Sequence, residues 1–196
     1  MIGSGTAVAD NPSLNCRLEG VGGYGGNGLE GQPRPVVLDI GLKWEVEKEG
    51  CKLVELVREG RGKAPWIVTS VSEDEVCEEK KRALKEIGGQ FMFVEVRKED
   101  GRVDWRDVLT RLKSEGIESV MIEGGGGVIN GLLQEEYFEI IDSVIVTVAP
   151  VWLGLGGVVV RPKRNDEKKT AVRLRDVQWK QFGQDVVMCG RINALK

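Results

Sequence analysis

A carboxylate at the end of an apolar run, with a block of glycines behind it, is the first group of residues in this chain able to do chemistry. Ser119-Val120-Met121-Ile122-Glu123 is followed by Gly124-Gly125-Gly126-Gly127 and then by Val128-Ile129-Asn130-Gly131-Leu132-Leu133. The pattern predicts a strand, a tight turn and the first turn of a helix. Glycines let a backbone come close to a ligand, and the first N–H groups of a helix lack partners inside it. Together they suit an anionic group such as a pyrophosphate. The block departs from the dinucleotide fingerprint, because Val128 stands where a G-x-G-x-x-G ending at Gly131 needs its second glycine. A close-packed strand-to-helix turn without any ligand has the same spacing, and both readings stay open.

A second group lies near the start. Thr6 and Asp10 are four apart, so one helical turn presents a hydroxyl and a carboxylate on the same face. Asn11-Pro12 ends that turn, and Arg17 offers a planar fork of donors matched to phosphate or carboxylate. A capped turn followed by a solvent-facing arginine describes this segment equally well. The chain has no histidine, which removes imidazole catalysis and any ordinary zinc site. Its cysteines, Cys16, Cys51, Cys77 and Cys189, form no C-x-x-C pair and suggest reduced thiols in a cytoplasmic setting, with no metal expected.

These groups need elements to position them. At 196 residues, 41% hydrophobic and 30% charged, the chain suits a single domain over residues 1–196. The formal net charge of −3 gives no electrostatic case for nucleic acid or a membrane surface. No apolar run is long enough to cross a bilayer, and no signal-peptide pattern opens the chain. Val36 to Ile40, Trp66 to Thr69 and Phe91 to Val94 are expected as buried strands, and Ser119 to Glu123 as a central one. Helical faces fall between them: Leu53, Val54 and Val57; Val76, Ala83, Leu84 and Ile87 behind a Ser72–Glu75 capping box; and Trp105, Val108, Leu109 and Leu112 behind Asp104. This alternation predicts an α/β fold with a mostly parallel sheet and helices on both faces. After Tyr137 the pattern changes to strands at Ser143–Val148, Val158–Val160, Ala171–Leu174 and Asp185–Cys189, which are expected to close the sheet in antiparallel fashion. Arg161–Lys169 is expected as a solvated charged loop, and residues 20–31 as a flexible glycine-rich insertion.

Taken together, the two clusters resemble the reductase family of riboflavin biosynthesis, whose fold is similar to dihydrofolate reductase. Gly3-Ser4-Gly5-Thr6 through Asp10-Asn11-Pro12-Ser13-Leu14 to Arg17 matches its first motif, and Gln32-Pro33-Arg34-Pro35-Val36-Val37-Leu38-Asp39 the strand after it. Met121 to Gly125 with Val128-Ile129 matches its glycine motif, and Val148-Ala149-Pro150 with Gly154 to Gly157 its closing strand and turn. The resemblance implies NADPH-dependent reduction of the ribosylamino side chain of a diaminopyrimidinone 5′-phosphate to ribitylamino. It implies cofactor contacts at Thr6, Asp10, Gly125, Gly126, Gly127, Val128 and Ile129, and substrate contacts at Leu14, Arg17 and Glu123. Arg17 would meet the 5′-phosphate and Glu123 is the implied catalytic residue. Thr69 and Ser70, with Lys80 and Lys81, are expected near the adenosine half, and a homodimer is implied. Set against that family the chain lacks a first strand and its flanking helices, so reduced stability and activity are expected. Two other readings remain: a reductase of another heterocycle such as a pterin, or an impaired fragment serving as a nucleotide-binding or oligomerisation module.

Overall fold

The computed structural model describes residues 1–152, 154–161 and 172–193. In chain order the regular elements are β1 (Ile2–Gly3), α1 (Ser4–Asp10), β2 (Val21–Gly22), β3 (Gly25–Gly26), β4 (Val36–Leu38), α2 (Lys52–Arg58) and β5 (Trp66–Thr69). They continue with α3 (Glu78–Glu86), β6 (Gln90–Phe93), α4 (Trp105–Ser114), α5 (Gly126–Leu132), β7 (Val144–Val148), β8 (Arg173–Phe182) and β9 (Asp185–Asn193). The chain forms two compact units, one of residues 1–125 and one from Gly126 onward.

The first unit is built on a four-stranded sheet in the order β1-β4-β5-β6, every pair parallel, as the alternation of strands and helices predicts. β4 and β5 are buried at every residue because neighbours flank them on both sides. Ile2, Val37, Ile67, Leu53 and Leu84 form the core, together with Ala7 from α1 and Trp44 from the loop after β4. Parallel strands need crossovers, and α1, α2 and α3 lie in those that join β1 to β4, β4 to β5 and β5 to β6. In α4, Asp104 accepts from Arg106 N at 2.9 Å and caps the helix, whose Trp105, Val108 and Leu112 are buried.

Several expectations are corrected. The Ser72–Glu75 capping box is present, but it starts a single 3₁₀ turn, and α3 begins afresh after Cys77. Residues 119–123 are not a buried central strand. They run extended along β1, with Met1 N donating to Met121 O and Glu123 N donating to Met1 O, while Met121 and Glu123 stay exposed. The partner strand is only two residues long, too short to carry a full ladder. Residues 20–31, expected as a glycine-rich insertion, carry backbone pairings of their own. β2 pairs with β3, Gly22 N donates to Glu30 O, and a Cβ on Gly22 or Gly26 would fall 2.5 Å and 2.2 Å from backbone atoms of the same loop.

In the second unit β7, β9 and β8 make a three-stranded antiparallel sheet. β8 runs well beyond the expected Leu174, and a register shift between Arg175 and Gln178 coincides with Asp176 at φ +52°. Val158–Val160 is exposed and outside regular structure. Most of Arg161–Lys169, and Ala171, lie outside the described residues.

Candidate functional site

The order of the parallel strands brings two segments together before any side chain is considered. From β1 the chain steps through β4 and β5 to β6, then returns to residues 121–123 on the side of β1 away from β4. The loops that leave β1 and residue 123 both start at the carboxyl ends of segments that run side by side. Open α/β sheets bind ligands there, outside the carboxyl ends of the strands.

The two candidate clusters meet at this point. Thr6 lies in α1, which leaves the carboxyl end of β1, and Gly124 and Gly125 leave residue 123 in left-handed backbone at φ +75° and +43°. A Cβ on Gly124 would lie 2.9 Å from both Thr6 Oγ1 and Cγ2, and one on Gly125 would lie 3.2 Å from Thr6 Oγ1. Glycine is required at 124 both by backbone conformation and by the approach of Thr6. Glu123 is held by its backbone bond to Met1, and its carboxylate side chain is exposed.

The remaining residues of the first cluster are placed by local turns. Asp10 ends α1 and is exposed. Asn11 follows at φ +42°, donating through Nδ2 to Gly50 O at 2.8 Å and accepting from Lys52 N at 3.0 Å, so it ties the end of α1 to the start of α2. Leu14 holds φ +47° while its side chain packs half-buried on the core. An L-residue kept there stores strain of roughly 1–2 kcal/mol, a feature that clusters at functional sites. Arg17 is exposed.

Gly126 to Ile129 begin α5 in the second unit. A Cβ on Gly126 would meet Val158 Cγ1 at 2.5 Å, whereas no described atom lies within 4 Å of one on Gly127. Asn130 donates from Nδ2 to Val159 O at 2.9 Å and accepts from Arg161 N, which ties α5 to residues 159–161.

Two members of the expected adenosine-side group, Thr69 and Lys80, are buried in structural roles. Thr69 is fully buried, and its hydroxyl and that of Ser70 donate to Ile40 O at 3.1 and 3.2 Å. Lys80 is 6% exposed and its ammonium donates to Leu42 O and Trp44 O at 3.1 and 2.6 Å, so it is a structural cation under the loop after β4. Lys81 pairs with Glu78 at 2.8 Å, and that hydrogen bond raises its pKa. Sequence reasoning missed a second buried charge that holds this loop. Asp39, fully buried at the carboxyl end of β4, accepts from Lys43 N at 2.9 Å and Trp44 N at 2.7 Å. One carboxylate thus takes the N–H groups of the loop and one ammonium its carbonyls. An acidic residue at the end of an apolar run, two positions before a glycine, was the available signal. Among the described residues no cluster of three or more His, Cys, Asp or Glu could hold a metal ion, and no helix is long and apolar enough to cross a membrane.

Comparison with known proteins bears on this geometry. The model of the RibD C-terminal domain matches residues 1–188. The 2,5-diamino-6-ribosylamino-4(3H)-pyrimidinone 5′-phosphate reductase of Candida glabrata is 39% identical over 194 residues, covering 98% of this chain and 71% of that protein. Its counterpart in Eremothecium gossypii is 38% identical over 193 residues, covering 98% and 70%. Among solved structures, the Saccharomyces cerevisiae riboflavin biosynthesis reductase Rib7 aligns with a TM-score of 0.74 at 34% identity, covering 98% of this chain and 73% of that one. Acinetobacter baumannii RibD, at 21% identity and a TM-score of 0.66, covers 98% and 46% and shares the fold. The chain belongs to the RibD C-terminal domain family.

Proposed function

We propose that this chain is an NADPH-dependent reductase that converts the ribosylamino side chain of a diaminopyrimidinone 5′-phosphate to ribitylamino, in the cytoplasm. The observation that carries the reading is the approach of Thr6 to Gly124 and Gly125 beyond the carboxyl end of β1, in a chain whose relatives are named for this reaction. Bare glycine backbone at the carboxyl edge of a parallel sheet fits a nicotinamide dinucleotide, because its phosphates need close N–H donors and no intruding Cβ. When bound, that cofactor supplies the hydride. Thr6, Asp10 and Gly125 in the first unit, and Gly126, Gly127, Val128 and Ile129 in the second, are the residues assigned to hold it.

Substrate is assigned to Leu14, Arg17 and Glu123. Arg17 suits the 5′-phosphate, since its fork of donors meets a dianion in bidentate fashion. Glu123 faces the sugar, where its carboxylate orients hydroxyls or moves a proton as C1′ is reduced. Both residues hold the substrate so that the hydride has a short path. The partner is a second copy of this chain. Val146 and Val148 on β7 and Trp179 on β8 are exposed apolar side chains on one face of the small sheet, and a monomer rarely leaves such a surface bare.

Steady-state kinetics with the ribosylamino-pyrimidinone phosphate test the assignment. Arg17→Ala is expected to raise KM with little change in kcat, because an anchor to phosphate holds ground and transition states alike. Glu123→Gln is expected to lower kcat. Folded protein that oxidises no NADPH in the presence of this substrate would overturn the function. An unchanged kcat in Glu123→Gln would remove its catalytic role.

A further inference from the structure

Gln32 ends the glycine-rich loop 20–31 and is 3% exposed, although its side chain is a polar amide. Its Oε1 accepts from Cys16 N at 2.9 Å, and its Nε2 donates to Cys16 O at 2.7 Å and to Gly22 O at 2.8 Å. Both donors of the amide are used. One side chain thus grips the N–H and the C=O of the residue before Arg17, as a neighbouring strand would. The preceding residue is held by the same loop: Asn15 Nδ2 donates to Tyr24 Oη at 2.7 Å and to Arg61 O at 3.0 Å. The Arg61 guanidinium lies over the Tyr24 ring at 4.7 Å and closes the contact from outside. The loop offers a fixed base for these bonds, because Gly22 is pinned to Glu30 and Gly23 packs against Gly60 and Arg61 with no room for a Cβ.

We propose that Gln32 is a positioning residue for Arg17, and that loop 20–31 is the platform that fixes the Arg17 backbone for substrate. This rests on the reading of Arg17 as the phosphate anchor. Arg17 is exposed and carries a long, rotamer-rich side chain, so its guanidinium meets a phosphate productively only if its Cα is held still. A fixed origin lowers the ordering entropy lost on binding. Without the grip on Cys16 the same guanidinium samples a larger volume and binds the same group more weakly.

Gln32→Glu keeps the shape but replaces both donors with an oxygen facing the carbonyls of Cys16 and Gly22. The expected result is a KM for the phosphorylated substrate raised about tenfold, with kcat and the KM for NADPH within about twofold of the parent. In an Arg17→Ala background the same change should add nothing further, since the group it positions is gone. For the dephosphorylated substrate, KM should be insensitive to Gln32→Glu. A Gln32 effect that adds in full to that of Arg17→Ala, or that falls equally on the dephosphorylated substrate, overturns the inference. So does an unchanged KM in Gln32→Glu when Arg17→Ala raises it, and the anchor then stands without this support. If Arg17→Ala itself leaves KM unchanged, it is the anchor that fails. Thermal melts establish that each variant is folded, and where Gln32→Glu does not fold, Gln32→Met, which keeps the stem and removes the amide, decides by the same criteria.

Discussion

Replacing Gly124 by alanine tests the meeting of the two motifs directly, without any ligand. Two separate effects add at that position. The backbone is at φ +75°, where an L-residue is disfavoured by roughly 1–2 kcal/mol. The new Cβ would lie 2.9 Å from Thr6 Cγ2, well inside the 3.5–4.0 Å at which carbon atoms attract. Thr6 Oγ1 is at the same distance, and a β-branched side chain cannot swing both γ atoms away by one rotation. Overpacking of this kind costs roughly 1–3 kcal/mol, so Gly124→Ala should destabilise the first unit by roughly 2–5 kcal/mol. Thr6→Ala in the same chain removes both γ atoms but leaves the backbone strain, so the double variant should recover the steric part and no more. The measurement is urea denaturation followed by tryptophan fluorescence. Trp44, Trp66 and Trp105 are buried in the first unit, while Trp152 and Trp179 in the second are exposed, so the spectral change on unfolding reports chiefly the first. A midpoint for Gly124→Ala within roughly 0.5 kcal/mol of the parent, or a double variant that is simply additive, would refute the contact on which the site is built.

Gly127 offers the complementary perturbation. Substitution at Gly126 confounds folding with binding, because its Cβ would strike Val158, whereas Gly127 is exposed with no described atom near. Gly127→Leu is therefore expected to leave the melting temperature at or slightly above the parent, since leucine is the better helix former, while weakening NADPH about tenfold or more in a fluorescence titration. Undiminished affinity would take Gly127 out of the cofactor site. For the dimer, the parent should sediment at twice the chain mass and Trp179→Glu should sediment as a monomer. A parent that sediments as a monomer at micromolar concentration would leave the apolar face of β7 and β8 without the partner assigned to it.

Much of the first unit was legible because burial leaves a local record. β4 and the Trp66–Val68 stretch of β5 are short apolar runs, and α4 shows its face as Trp105, Val108 and Leu112 with its cap at Asp104. Each of those residues is buried for reasons visible within a few positions of it. Residues 119–123 carry the same local signal, yet Ser119, Met121 and Glu123 are exposed and Val120 and Ile122 only half-buried, since burial depends on which strand arrives alongside, and among the described residues Met1 does so. The tail failed in the opposite sense. Arg173–Phe182 alternates weakly and carries Asp176, so the bulge that re-aims β8 hides a strand that only its pairing with β9 makes evident.

The same distinction separates the candidate site from its supports. Residue types alone singled out Thr6, Arg17, Glu123 and the glycines, because a hydroxyl, a guanidinium, a carboxylate and bare backbone each announce their chemistry. Nothing in the sequence announces that Gln32 serves Cys16, that Lys80 serves the carbonyls of Leu42 and Trp44, or that Thr6 fills the space a side chain on Gly124 would need. These are pairings of a polar group with the backbone of another segment, and burial makes each one obligatory once the fold brings the two together. A parallel sheet makes them unreadable in advance, since its neighbouring strands come from distant sequence through helical crossovers. In this chain the residues that act are recognisable by their chemistry, and the residues that aim them are recognisable only by the company they keep.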